Sequence, residues 1–360
     1  MSEAGAGFAE ADQRIPHDDP RLACFAPQAA ERDAPALRLE RFPRAVHARL
    51  AGHIGPLANL RSSAGCAVLL RTDSPQLVVE LERLRHHQPV PCGLALEVEH
   101  GHGWQAVHSG DLREHDGDLA VGFNTGLERG GEPRLIALWL PLISTCALRA
   151  VSLARGARLE QAVAPAPRWL AIGDSLTQGF SVQSPLQNWV HRLSRRWGMP
   201  AWNLGVGGIL IEPQAFAWAL RARPFDLVTI ALGSNHSWKD EDCESAGDRA
   251  LELAEIALSG SAAGAAHGRI VWLLPPWKPC EEGKGPREFA GVPLDQAAGR
   301  RAGLVRAALA ERLGALHPRL ELAADLMPHD LRLLGDGLHP SAHGSARFAD
   351  NLHQALHAAS

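Results

Sequence analysis

The chain changes character across one short segment, Gln161-Ala-Val-Ala-Pro-Ala-Pro167, and that break constrains the fold more than any other feature. Its two prolines fix φ and remove backbone donors, which disfavours both a helix and a central strand. Before it, apolar residues recur with a period of two. In Leu94-Ala-Leu-Glu-Val-Glu99, residues 94, 96 and 98 share one face of a strand and Glu97 and Glu99 share the other. Strand-length runs cover 67–70, 77–81, 94–99 and 147–153, and residues 135–148 read as strand, turn and strand. Turn signals separate the runs at Thr72-Asp73-Ser74-Pro75, His100-Gly101-His102-Gly103, His115-Asp116-Gly117-Asp118 and Arg129-Gly130-Gly131. Short strands joined in this way predict an antiparallel β-sandwich over residues 37–162. Residues 1–36, rich in Ala, Asp and Pro, are expected to be loosely ordered, and 163–167 to form the linker.

After the break, strand and helix patterns alternate. The strand candidates are Trp169–Ile172, Ala201–Leu204, Asp226–Leu232, Ile270–Leu274 and Leu320–Ala323. Ser184-Pro185 is expected to open a helix, as N-cap and first helical residue. Leu186, Trp189, Val190, Leu193 and Trp197 would then lie on one helical face. Further helices are expected near 240–259, 296–314 and 341–357. Alternation of this kind predicts an α/β domain over 168–360, with a parallel sheet covered on both faces. In such sheets active residues collect in loops beyond the carboxyl ends of the strands.

The charge balance narrows the partners. Lys and Arg number 36 and Asp and Glu 40, a formal charge of −4, so no clustered positive field is expected for nucleic acid or an anionic membrane. The apolar uncharged run Leu135–Leu148 has 14 residues and contains Pro141, whereas a membrane span needs about 20. The first 20 residues carry Glu3, Glu10, Asp12, Asp18 and Asp19 and no apolar stretch of the secretory kind. Six cysteines without Cys-x-x-Cys spacing read as reduced thiols and a cytoplasmic location.

Three strand ends carry unusual residues. Gly173-Asp174-Ser175-Leu176 puts a serine where a strand breaks into a loop. Asn203-Leu204-Gly205-Val206-Gly207-Gly208 lets backbone N–H groups approach a bound atom closely. Gly233-Ser234-Asn235-His236 follows the third strand, and Asp336-Gly337-Leu338-His339 precedes the last helix. A serine hydroxyl is a weak nucleophile until a base takes its proton and a third group fixes that base. Asp336 and His339, three residues apart, can meet in one tight loop, and Ser175, Gly208 and Asn235 can supply donors for an oxyanion. Taken alone, Ser175 reads as a helix cap, Asn235 as a turn residue and Asp336-Gly337 as a turn. Their combination reverses that reading.

These four blocks, in this order, resemble the SGNH (GDSL-type) hydrolase superfamily. The resemblance implies a flavodoxin-like three-layer α/β/α domain that transfers acyl groups from esters. It puts the nucleophile at Ser175, the acid and base at Asp336 and His339, and the oxyanion hole at the Ser175 amide, Gly208 and Asn235. The residue after the asparagine is often Asp in that family and here is His236, a departure from the pattern. The α/β-hydrolase elbow fails because Thr177 stands where it needs glycine. The N-terminal half is similar in pattern to the jelly-roll domain of two-domain bacterial members, which include sugar acetyl esterases and natural-product acyltransferases.

The expected function is therefore hydrolysis of a small acyl ester, acetyl in the first instance, of a sugar or other small-molecule alcohol. An acyltransferase acting on a sugar or natural-product hydroxyl is one alternative, and a carbohydrate-binding protein with a vestigial hydrolase domain is another. No cofactor and no metal are expected. His339 and His343 have i, i+4 spacing but lack the Glu of a metalloprotease helix. Asp174 is expected to bond local backbone rather than act as a second acid. Residues Glu281–Gly285 are expected to be either a flexible lid or a solvated loop.

Overall fold

The computed structural model describes residues 13–28, 34–52, 54–86, 92–101, 103–114, 117–262 and 264–358. The expectations for residues 1–12 and for the turn residues His102, His115 and Asp116 lie outside these. By internal compactness the chain divides into two units. The second comprises residues 45–57, 167–182 and 187–360, and nearly all of the first precedes residue 166.

The first unit is antiparallel throughout. Its strands are β1 (Gln13–Pro16), β2 (Ala23–Phe25), β3 (Ala67–Thr72), β4 (Gln76–Arg85), β5 (Ala95–His100), β6 (Gly103–His108), β7 (Gly117–Asn124), β8 (Arg134–Trp139), β9 (Thr145–Leu153) and β10 (Leu159–Glu160). They form one sheet in the order β1-β9-β4-β7 and another in the order β10-β3-β8-β5-β6, with β2 also on β3. Val68, Leu70, Leu96, Val98, Ile136 and Leu138 of the second sheet share one buried cluster with Leu77, Val79, Val151 and Leu153 of the first. Two sheets closing on one core make a sandwich.

Part of the segment expected to be loosely ordered is instead built into these sheets. Ile15 pairs with Val151 and Cys24 with Val68. Burial of Ile15, Leu22 and Phe25 supplies the apolar gain that holds the segment in place. Two short helices, α1 (Arg44–Arg49) and α2 (Ile54–Leu60), also interrupt the stretch read as period-two.

The second unit is a five-stranded parallel sheet of β11 (Trp169–Gly173), β12 (Ala201–Gly205), β13 (Leu227–Ala231), β14 (Arg269–Leu273) and β17 (Leu320–Ala323). Between the last two lies a small hairpin, β15 (Glu288–Phe289) and β16 (Val292–Pro293), which the sequence pattern does not reveal. The sheet order is β12-β11-β13-β14-β17, the flavodoxin-like 2-1-3-4-5 arrangement. Every residue of β11 is buried because the strand sits between neighbours and under helices on both faces.

The helices are α3 (Ser175–Gln178), α4 (Trp189–Trp197), α5 (Pro213–Ala222), α6 (Asp240–Ser259), α7 (Ala298–Gly314) and α8 (Ala342–Ala358). Trp169, Ala171, Val271 and Leu273 pack with Trp189, Val190 and Leu193 of α4 and with Phe348, Leu352 and Leu356 of α8. The alternate residues Leu170, Ile172, Val228 and Ile230 are buried too, and α5, α6 and α7 pack side by side in series.

The start of α4 differs from the expectation. Residues Pro185–Gln187 form a single 3₁₀ turn, and Asn188 is the cap, its side-chain oxygen accepting from the Val190 N–H at 2.7 Å. A carboxamide caps as well as a hydroxyl does, and Asn188 stands one turn nearer the apolar face.

Candidate active site

The carboxyl end of β11 breaks at Asp174. Its side chain accepts from the Leu176 N–H at 3.0 Å and so caps α3, the local role expected of it. Burial raises the Asp174 pKa, with the Leu176 N–H and the Lys278 ammonium acting in the opposite direction. Ser175 is the first residue of α3 and is 7% exposed. The glycine block after β12 runs beside α3. A Cβ on Gly205 would lie 2.1 Å from the Gln178 nitrogen, so only glycine permits that approach. Gly208 has φ of 78°, which also favours glycine.

The structure brings together the three residues that sequence places 164 apart at the extremes. Ser175 Oγ lies 2.9 Å from His339 Nε2. His339 Nδ1 lies 2.7 Å from Asp336 Oδ2. The other Asp336 oxygen accepts from the Leu338 N–H at 2.9 Å and the His339 N–H at 2.7 Å. Burial alone would raise the Asp336 pKa, but these bonds from His339 overcome it and hold the carboxyl well below its usual range. An ionised Asp336 can only accept, so His339 Nδ1 carries the proton and donates it. Nε2 is then left as acceptor for the Ser175 hydroxyl, the protonation state a general base needs.

Asn235 stands in the turn Ser234–Ser237 after β13, and its amide donates to the Ile209 carbonyl at 3.0 Å. One amide hydrogen remains. This bond ties Asn235 to the glycine block, and Gly208 itself is solvent-exposed.

His236 is fully buried, with both nitrogens engaged. Nε2 accepts from the Ile211 N–H at 2.9 Å, and Nδ1 donates to the Asp242 carbonyl at 2.6 Å. Burial lowers its pKa, in keeping with a neutral ring. It stitches the loop after β12 to the start of α6.

Several residues hold this arrangement through roles that the sequence pattern does not state; of these Asn203 alone opens one of the four blocks. Gln178 accepts from the Gly207 N–H at 2.7 Å. Asn203 and Asn188 both donate to the Thr177 carbonyl, at 2.7 and 2.9 Å. Lys278 donates to the Ser234 carbonyl at 2.6 Å and to Ser237 Oγ at 2.7 Å, and its ammonium sits 4.1 Å from the centre of the Trp238 ring. Burial pushes its pKa down to about 8. Arg301 donates to the Ser237 and Trp238 carbonyls at 2.7 and 2.9 Å. Two cations thus clamp the turn that carries Asn235. No local motif encodes this, because the donors come from β14's exit and from α7.

The segment Glu281–Gly285 is braced. Glu281 accepts from the Lys278 N–H at 2.7 Å and pairs with Arg306 through both oxygens. Among the described residues no group of three or more His, Cys, Asp or Glu is placed to hold a metal ion. His343 is exposed, while the companion suggested by spacing, His339, faces Ser175 and Asp336. Among the described residues no helix is long and apolar enough to cross a membrane.

Comparison with known proteins bears on this arrangement. Residues 171–347 match the GDSL-like lipase/acylhydrolase family. No curated protein sequence matches. Among solved structures, a salicylyl-acyltransferase from a tetracycline biosynthetic pathway is 23% identical, covers 98% of each chain and superposes with a TM-score of 0.72. A putative GDSL-like lipase from Bacteroides ovatus is 17% identical over 96% of each chain, with a TM-score of 0.76. A family two carbohydrate esterase from Cellvibrio japonicus is 12% identical, covers 96% of this chain and 97% of its own, and has a TM-score of 0.61. At these identities the likeness establishes a shared fold over nearly the whole chain.

Proposed function

We propose, from the premise that the chain belongs through residues 171–347 to the GDSL-like lipase/acylhydrolase family, that Ser175, His339 and Asp336 are its catalytic residues. The family's chemistry is that of an enzyme acting on acyl esters, by hydrolysis or by acyl transfer. One observation carries the assignment of residues: the unbroken hydrogen-bond relay from Asp336 through His339 to Ser175.

The reaction follows from that relay. As Ser175 Oγ attacks the ester carbonyl, its proton passes to His339 Nε2. Asp336 stabilises the resulting imidazolium and keeps the ring oriented. The negative charge on the carbonyl oxygen is met by the Ser175 and Gly208 N–H groups and the remaining Asn235 amide hydrogen. Collapse breaks the bond to the alcohol oxygen, which takes the proton from His339 and leaves an acyl-serine. Water, or an acceptor hydroxyl, then gives its proton to His339 and attacks the acyl carbon; as the acyl–serine bond breaks, His339 returns that proton to Ser175 Oγ. No step calls on a metal or cofactor.

The substrate we favour is a small acyl ester, acetyl first, of a sugar or other small-molecule alcohol. The likeness to a carbohydrate esterase supports the alcohol half. A second reading, acyl transfer to a hydroxyl, is supported by the fold shared end to end with an acyltransferase. The complete relay opposes a carbohydrate binder with a vestigial hydrolase domain. The six cysteines lack Cys-x-x-Cys spacing, which supports a reducing, cytoplasmic setting; an intramolecular disulfide in the protein isolated from its source would contradict that. The decisive assay is turnover of a panel of acetate and longer acyl esters by the wild type and Ser175→Ala. Turnover retained by Ser175→Ala removes the nucleophile assignment, and a glycan array that binds in the absence of any turnover favours the binding protein.

A further inference from the structure

His339 sits among aromatic rings that the reaction as described does not use. The Phe180 ring centre is 5.0 Å from that of His339, and the Phe289 ring lies edge to face with it at 5.3 Å. The two phenyl rings are 6.4 Å apart. Phe180 is 4% exposed and part of the packed core. Phe289 is different. It is the one half-buried residue of the hairpin β15–β16, whose Glu288, Ala290, Gly291, Val292 and Pro293 are all exposed. Val292, its cross-strand partner, is 62% exposed. Ala290 and Gly291 both have positive φ, so the turn is tight. A surface hairpin that turns a single ring toward the general base has little core to build.

The position of the alcohol follows from proton transfer. The oxyanion donors fix where the acyl carbonyl lies, whereas His339 fixes where the alcohol oxygen lies. That oxygen must come within about 3 Å of Nε2 to take the proton on acylation or to lose it on transfer. The first carbons of the alcohol then fall within van der Waals reach of rings that lie 5.0 and 5.3 Å from the imidazole. By microscopic reversibility, the leaving alcohol and an accepting alcohol share this place.

We infer that Phe180 and Phe289 form an alcohol subsite, and that the alcohol half of the substrate presents a flat ring face to Phe289. This rests on the relay proposed above and adds the class of alcohol. The shared chemistry is a ring with an apolar face, which an arene or the C–H face of a pyranose can each provide. Contact of such a ring with a phenyl group is stronger than area alone would give.

The test uses acetate esters of alcohols with comparable leaving ability: ethyl, cyclohexyl and benzyl acetate, and methyl 6-O-acetylglucopyranoside. All form the same acetyl-serine, so kcat/KM, which reports acylation, isolates the alcohol half. For the best ring ester, the ratio of its kcat/KM to that of ethyl acetate should fall about tenfold in Phe289→Ala. Phe289→Leu, which keeps apolar bulk without a flat face, should fall part of the way, and Phe289→Trp should restore the ratio. With p-nitrophenyl acetate as donor, the yield of transfer to the matching ring alcohol relative to hydrolysis should drop in the same order. The ester whose ratio falls most tells arene from pyranose. Ratios within twofold of wild type in both Phe289→Ala and Phe289→Leu, while Ser175→Ala is inactive, overturn the subsite and leave the relay standing. Activity in Ser175→Ala overturns both.

Discussion

Two carboxylates, one in each unit, are built alike but face different partners. Asp73 follows β3 and is 1% exposed. One of its oxygens accepts from the Arg158 N–H at 2.7 Å, and the other from Arg158 Nε and the Gly130 N–H, each at 3.0 Å. Asp336 accepts from two N–H groups of its own loop and from His339. Burial pushes both pKa values up, and hydrogen bonds bring both below the usual carboxylate range. What differs is the partner. A guanidinium stays charged at any ordinary pH, so Asp73 ends in a lock between turns. An imidazole has a second nitrogen, and that nitrogen faces Ser175. A buried, satisfied carboxylate is therefore no sign of catalysis until its partner can pass a proton onward.

The largest effect is expected at the far end of the relay. Ser175→Ala should lower ester turnover by at least about a thousandfold with an unchanged melting curve. Near-normal turnover in a folded variant would move the chemistry elsewhere. Asp336→Asn comes next. It keeps the shape but removes the charge that orients His339, and turnover should fall by about a hundredfold or more without vanishing. Asn235→Ala should cost about 10²–10³ in kcat, with KM little changed, because the oxyanion exists only after attack. A change confined to KM would make Asn235 a ground-state contact.

The pH response separates rate from stability. A protonated His339 cannot take the Ser175 proton, so kcat/KM should rise from acid toward neutral pH. Asp336 and Asp73 have lowered pKa values in the native state, so each stabilises the fold above the ordinary carboxylate range. That contribution disappears only as pH falls through the lower native value. Acidification should thus lower activity through protonation of His339 and, separately, the melting temperature through protonation of these carboxylates. A rate that stays flat while the melting temperature falls would contradict the histidine base.

The smallest effect on rate belongs to the other carboxylate. Asp73→Ala leaves the Gly130 and Arg158 donors without their acceptor and should cost about 1–3 kcal/mol of stability. Turnover at a temperature where the variant is folded should match wild type. A large loss of kcat in a fully folded Asp73→Ala protein would end the distinction drawn here.

Much of this was legible in one dimension. The five parallel strands are short, apolar and bounded by turn residues, because strands buried on both faces must be apolar at every position. The sandwich strand β6 has no period to read because it is mostly exposed, and a strand with little to bury needs no apolar face. Helix α5 is short and Ala-rich, so its buried face carries few large residues beside Phe216 and Leu220. Hairpin β15–β16 has two residues per strand, too few for any pattern.

The local chemistry is written along the chain. Asp336 and His339 are three residues apart, so one loop suffices to join them. At Gly208 the positive φ favours glycine whatever surrounds it. The tertiary structure alone decided which distant groups meet. The bond between Ser175 and His339 spans 164 residues, and it forms because the 2-1-3-4-5 strand order brings loops from opposite ends of the domain to one edge of the sheet. Lys278 and Arg301 reach the Asn235 turn, and Phe289 reaches His339, by the same route. Periodicity and turn chemistry are properties of neighbours along the chain, whereas these contacts depend on strand order and on helices packed across it, which no short stretch of sequence contains.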